Sequence, residues 1–178
     1  MRRSALHLPL RFLETVRKPK LQEVDDSWAH SKLSPSEIDL WANLSSADRH
    51  HCISVAKNVE KSLPNDQVVI KAALLHDIGK SEASSSALLR AFATIIGFFI
   101  SKELAHDWMN SRALGREVGQ YLCYPSVGAE LLKLAGSDPF VCAWANEHHF
   151  EQQNWTVDRN LGRILEEADE KTNWKLRL

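Results

Sequence analysis

Residues 72–80 read Ala72-Ala73-Leu74-Leu75-His76-Asp77-Ile78-Gly79-Lys80. An apolar run with helical spacing ends there in an adjacent imidazole and carboxylate, and both prolong its inward face. Counting back along that face from His76 reaches Ala73 and Val69, and from Asp77 it reaches Ala73 and Ile70. Burying a carboxylate costs several kcal/mol unless positive charge compensates it. Whatever this chain folds into must bring compensating groups to Asp77, and a metal ion would meet that need. Gly79 suits the left-handed position just past the helix end.

The same count along other segments finds more inward-facing polar groups. His51 lies on one face with Val55 and Val59, His148 extends Val141, Trp144 and Ala145, and Asp169 extends Leu161 and Leu165. His149 sits beside His148, about 100° further round the helix. Taken singly, a His on an apolar face is ordinarily a hydrogen-bonded core residue and an Asp near a helix end a cap. Taken together they form a candidate ligand set of imidazoles and carboxylates. His7, His30, His50 and His106 lack this context and read as surface or local-packing residues.

Periodicity is helical throughout, with no β-branched runs bounded by hairpin turns, so the chain is expected to be all-α. Start and stop signals predict helices over 35–44 (a Ser34/Glu37 capping box with Pro35), 46–62, 67–78, 87–109, 113–123, 125–135, 138–149 and 158–171. At 178 residues the chain fits one domain. The expected division is a basic N-terminal arm at 1–34, a helical domain at 35–172 and a tail at 173–178. Residues 87–109 are apolar on most faces and read as a central core helix, a lid over a site or the interface of a homodimer. The arm interleaves Arg2, Arg3, Arg11, Arg17, Lys18 and Lys20 with apolar residues. Its readings are a segment packed on the domain or one that binds a membrane surface or an acidic partner.

Charge narrows the function classes. Lys plus Arg number 22 against 23 Asp plus Glu, which supplies no field for stable nucleic-acid binding. Cys52, Cys123 and Cys142 are odd in number and form no C-x-x-C pair, which suits a reducing compartment. The longest apolar stretch, residues 93–100, is too short for a transmembrane segment, and residues 1–20 lack a secretion signal's apolar block. A cytoplasmic location is expected.

The pattern resembles the HD-domain superfamily of metal-dependent phosphohydrolases, specifically the branch with the HDIG form of the signature. That family places a His on one helix, a His-Asp pair at the end of the next and a distant Asp on a late helix. Here these fall on His51 in Arg49-His50-His51-Cys52-Ile53-Ser54-Val55-Ala56, on His76-Asp77, and on Asp169 in Leu165-Glu166-Glu167-Ala168-Asp169. The resemblance covers residues 35–172 and implies a single-domain helical bundle of the HD type. It also implies a divalent transition metal, Mn, Fe, Co, Ni or Zn, on His51, His76, Asp77 and Asp169. Members with two metals carry three further His ligands, one in an H-P-x-x-G-A-E-L-L type segment and two as a His-His pair. This chain has Tyr124-Pro125-Ser126-Val127-Gly128-Ala129-Glu130-Leu131-Leu132 and keeps His148-His149. A neutral tyrosine is a poor metal ligand, so a second ion would have at most His148, His149 and a shared Asp77. Ala47 stands where a third ion would need Glu. Phe150-Glu151-Gln152-Gln153-Asn154-Trp155 replaces the Gly-Tyr-Pro segment of the branch that cleaves cyclic di-GMP.

The implied activity is hydrolysis of a phosphomonoester or phosphodiester bond, in a nucleotide or similar small phosphoester, by water activated at the metal. Asp77 and Lys80 are the catalytic candidates. Lys80 is the natural contact for the substrate phosphate and Arg49 a second one, while the plain reading of Lys80 is a helix-end cation that complements the dipole. The competing reading is a catalytically degenerate nucleotide-binding regulatory module, motivated by the incomplete second ligand set and the apolar segment 87–109. A third, oxidation at a di-iron centre as in a few HD-fold enzymes, loses one imidazole to Tyr124.

Overall fold

The computed structural model describes residues 23–81 and 123–175. Among these residues there are seven α-helices: α1 (Glu23–His30), α2 (Pro35–Ala42), α3 (Ser46–Ser62), α4 (Gln67–Leu75), α5 (Tyr124–Leu134), α6 (Pro139–Glu147) and α7 (Arg159–Lys175). Short 3-10 turns lie at Ile78–Ser81 and Gln152–Asn154, and no strand occurs among the described residues. The expected all-α class is therefore observed. No helix among the described residues is long and apolar enough to cross a membrane. The helices expected over 87–109 and 113–123 lie outside the described residues, Cys123 excepted.

Local chemistry sets the helix starts. Ser34 accepts the Glu37 amide while Glu37 Oε2 accepts the Ser34 amide at 2.7 Å, which closes the capping box read from the sequence. Ser45 accepts from Asp48 N, Asp66 from Val69 N and Asp138 from Phe140 N. Asp158 accepts from Asn160 N and Leu161 N ahead of α7.

Helix α4 forms the middle of the bundle, packing against α3, α6 and α7. Val69, Ile70 and residues 72–75 are all buried, and only Gln67, Val68 and Lys71 reach solvent. Around it close Trp41, Leu44, Cys52, Val55, Val59, Val141, Trp144 and Leu165. Helix α1 falls within the segment expected as an arm, and Ala29 is fully buried in the core. Asp26 on α1 accepts the Trp41 indole N–H at 2.9 Å and pairs with Arg49 at 3.1 Å.

The structure corrects three sequence expectations at helix ends. Helix α4 stops at Leu75 rather than 78, because the chain tightens into the 3-10 turn Ile78–Ser81. Helix α6 stops at Glu147 rather than 149, which leaves His148 at the cap and His149 beyond it. Gly79 is not left-handed: Gly136 is the positive-φ glycine among the described residues, at 75°. A Cβ on Gly79 would lie 1.9 Å from the Tyr124 carbonyl oxygen and 2.7 Å from the Gly128 nitrogen, so close backbone approach is what requires glycine there. Gly128 faces the same crossing, where its own Cβ would come within 2.8 Å of Gly79 N. Gly136 ends α5 in a Schellman motif, with Ser137 N donating to Leu132 O and Gly136 N to Lys133 O.

These two kinds of glycine differ measurably. Gly79→Ala, which drives a methyl into fixed backbone, is expected to lower stability by about 3 kcal/mol. Gly136→Ala, whose Cβ meets nothing, is expected to cost about 1 kcal/mol through its dihedral alone. Urea midpoints for the two variants test this, and equal losses would contradict the crossing as described.

Candidate metal centre

Helix α4 delivers His76 and Asp77 to the interior, 4% and 2% exposed. His76 Nδ1 lies 2.9 Å from the carbonyl oxygen of Ala73. A carbonyl only accepts, so Nδ1 carries the proton and Nε2 presents a lone pair. His148 repeats this at the end of α6, its Nδ1 donating to Ala145 O at 2.9 Å. Two helix ends thus fix two imidazoles by the same device, using last-turn carbonyls that helix bonding leaves open.

Both Nε2 atoms face the Asp77 carboxylate. Oδ2 lies 3.6 Å from His76 Nε2 and 4.0 Å from His51 Nε2 and accepts from Lys80 Nζ, while Oδ1 lies 3.8 Å from His148 Nε2. His51 Nε2 is 3.0 Å from Asp169 Oδ1, which brings α3 and α7 together at the same place. Although close, that pair lacks hydrogen-bond alignment, so His51 Nε2 is a buried polar atom without a hydrogen-bond partner. Ligating atoms of His51, His76 and Asp77 lie within 4.8 Å of one another. Beside them is a cavity of about 30 Å³ bordered by His76, His148 and Asp169, with Trp144 and Leu165 among its apolar walls. That space is of the order of a single water or ion.

Electrostatics favour unprotonated ligands. Burial pushes the Asp77 carboxyl upward, but Lys80 and then His76, His51 and His148 outweigh it and hold the group well below the usual carboxylate range. Burial lowers His76, with Asp77 and Asp169 opposing. Burial and then His76 carry His148 down to about 4. Cys52, fully buried, has its thiol pushed well up by burial and by Asp77, so it is a packing residue.

His51, His76, Asp77, Asp169, His148 and Lys80 therefore converge. His149 joins through Tyr124, whose hydroxyl lies 2.5 Å from His149 Nε2 and 3.3 Å from His148 Nε2. Arg49 is directed elsewhere: its Nη1 pairs with Asp26 on α1. Sequence reading misses Glu147. Its buried carboxylate accepts the Thr156 amide and hydroxyl, both at 2.6 Å, and so ties down the chain after His148-His149. It lies three residues after Trp144 on the inward face, so the count that finds His148 also reaches it.

Two imidazoles and two carboxylates, one imidazole nitrogen lacking a hydrogen-bond partner, make a donor set that fits a divalent transition ion. Such a helical centre is that of an all-α domain with a His-His-Asp group that could hold a metal ion. The HD domain family model matches residues 49–174, and the chain belongs to that family. No curated protein and no solved structure matches it.

The lowered His148 and Asp77 values fix the sign of an acid effect. An unfolded chain takes up a proton at His148 near pH 6.5, whereas the folded one resists until about 4. The stability contributed by His148 is therefore full above pH 6.5 and declines as pH falls toward 4, and Asp77 adds a loss of the same sign at still lower pH. Urea midpoints of chelator-treated protein should fall steadily across that window; a flat profile would show that these groups do not titrate as described.

Proposed function

We propose that this HD domain is a phosphohydrolase that binds a divalent transition ion at His51, His76, Asp77 and Asp169 and cleaves a nucleotide or similar small phosphoester. The observation that carries the reading is the pair His51 and His76, whose Nε2 atoms are turned toward one buried carboxylate oxygen while His51 Nε2 has no hydrogen-bond partner. A divalent ion in such a site makes bound water a nucleophile near neutral pH and shields phosphate charge. The chain's own part is preparation. Ala73 O holds the His76 ring in one tautomer, and Asp169 brings a second carboxylate to His51. Lys80, on the turn directly after the His-Asp pair, supplies an ammonium within reach of a phosphate oxygen at Asp77. The near-balanced charge of the chain, 22 basic against 23 acidic side chains, suits a small-molecule substrate better than a nucleic acid.

A regulatory nucleotide-binding role is the second reading. It is favoured by Tyr124, which leaves the His148-His149 side with a phenol in place of a third imidazole.

Asp77→Ala separates the two. In the hydrolase reading, wild-type protein loaded with Mn²⁺ releases phosphate from a panel of nucleotides and small phosphoesters. The variant should lose more than about 100-fold, beyond what loss of an outer partner of a metal ligand costs. Its circular dichroism should stay helical. Nucleotide binding by wild type with no release under any of the five metals would favour the regulatory role.

A further inference from the structure

The Asp77 carboxylate has two oxygens and two sets of neighbours. Oδ2 faces His51, His76 and Lys80; Oδ1 faces His148, and beyond it stands His149 with its ring centroid 4.0 Å from that of His148. By donor type alone, the second side offers a carboxylate oxygen and two imidazoles, enough for another ion. Tyr124 stands between them. Its side chain is buried at the start of α5, and its hydroxyl oxygen is 2.5 Å from one Nε2 and 3.3 Å from the other.

We propose that Tyr124 limits this centre to one metal ion, by filling with its hydroxyl the space a second ion would need and by engaging both His148 and His149 in hydrogen bonds. The inference rests on the metal reading given above and deepens it. An ion shared by the two imidazoles would lie about 2.1 Å from each Nε2. An oxygen at 2.5 and 3.3 Å from the same two atoms takes up that wedge.

Hydrogen bonding closes it further. His148 Nδ1 donates to Ala145 O, so His148 Nε2 can only accept, and the Tyr124 hydroxyl lies within hydrogen-bond distance of it. The phenol has one proton to give and oxygen lone pairs with which to accept, so its hydroxyl serves both Nε2 atoms, donating to one that carries a lone pair and accepting from one that carries a hydrogen. A second cation would have to displace the hydroxyl from both nitrogens. A phenol becomes a useful metal ligand only after losing its proton. Lys80 adds a charge argument: its ammonium pairs with Asp77 and lies 5.1 Å from the centroid of the Tyr124 ring, so a further cation would enter beside a fixed positive charge.

The position of Tyr124 is itself firmly set. Its carbonyl oxygen meets the backbone of Gly79, so the turn after His76-Asp77 and the first turn of α5 cannot separate without opening the glycine crossing.

The test is Mn²⁺ binding to the full chain, followed by elemental analysis after desalting and by electron paramagnetic resonance. Wild type is expected to hold about one Mn²⁺ per chain with the spectrum of an isolated ion. Tyr124→His, which removes the phenol and adds a third imidazole, is expected to hold about two, with the broadened spectrum of a coupled pair. Adding His149→Ala to Tyr124→His should return it to one, whereas His149→Ala alone should leave the wild-type ion in place.

Wild type holding two ions, or a helical Tyr124→His that stays at one, overturns the proposal. Should Tyr124→His fail to fold, Tyr124→Phe keeps the ring and removes only the hydroxyl. A second, weaker Mn²⁺ then supports the proposal and its absence at millimolar Mn²⁺ overturns it. Wild type that takes up no Mn²⁺ or other divalent ion removes the metal reading itself, whereas one ion in both wild type and Tyr124→His removes only the role of Tyr124.

Discussion

Asp77 is held out of water at the end of α4, and a buried carboxylate is tolerated only where cations and donors surround it. The arrangement of the other helices can be understood from that requirement. Helix α3 contributes His51, α4 its own terminal His76, the adjoining turn Lys80, and α6 His148. Helix α7 contributes Asp169, a second negative charge, at 3.0 Å from His51. Two neighbouring carboxylates, Asp77 buried and Asp169 partly exposed, would repel each other if no positive charge lay between them. Lys80 balances one of them, and a divalent ion among the imidazoles would balance both.

Placement of these groups depends on backbone contacts as much as on side chains. The turn at Ile78–Ser81 crosses the start of α5 so closely that neither Gly79 nor Gly128 leaves room for a methyl group. This crossing brings Tyr124 beside His148 and His149. At the two helix ends, Ala73 and Ala145 carbonyls take the Nδ1 protons of His76 and His148. The orientation of both rings is thus decided by helix geometry, before any ligand is present. Glu147 then secures the chain leaving His149 by accepting from Thr156.

The inward-face count is a good guide because apolar periodicity survives into the structure wherever a helix is regular. It reaches His51, His76, Asp77, His148 and Asp169, and all five meet. It fails where regularity ends. Gly79 has the sequence context of a left-handed terminator, but a collision with a segment more than forty residues away determines it, and no local pattern carries that information. Arg49 suggests a phosphate contact because it precedes His51 by two residues; its actual partner, Asp26, belongs to a helix that the charge pattern of the N-terminal segment conceals. The motif match shows that Tyr124 departs from the two-metal pattern. Only coordinates show its hydroxyl lying against two imidazoles.

Asp26 and Glu37 both precede residue 49, where the family match begins, and both reach across that boundary into the matched helices. Asp26 holds the Trp41 indole and Arg49, and Glu37, 1% exposed, binds Lys71 at 2.9 Å and the Ser137 hydroxyl at 2.8 Å. Burial raises the Glu37 carboxyl, but the Ser34 amide, Lys71 and Ser137 together bring it below its ordinary value. Contacts that hold the helices together therefore extend beyond the residues that the family model matches. The first two helices brace α3, α4 and the α5–α6 connection from outside the part that carries the chemistry.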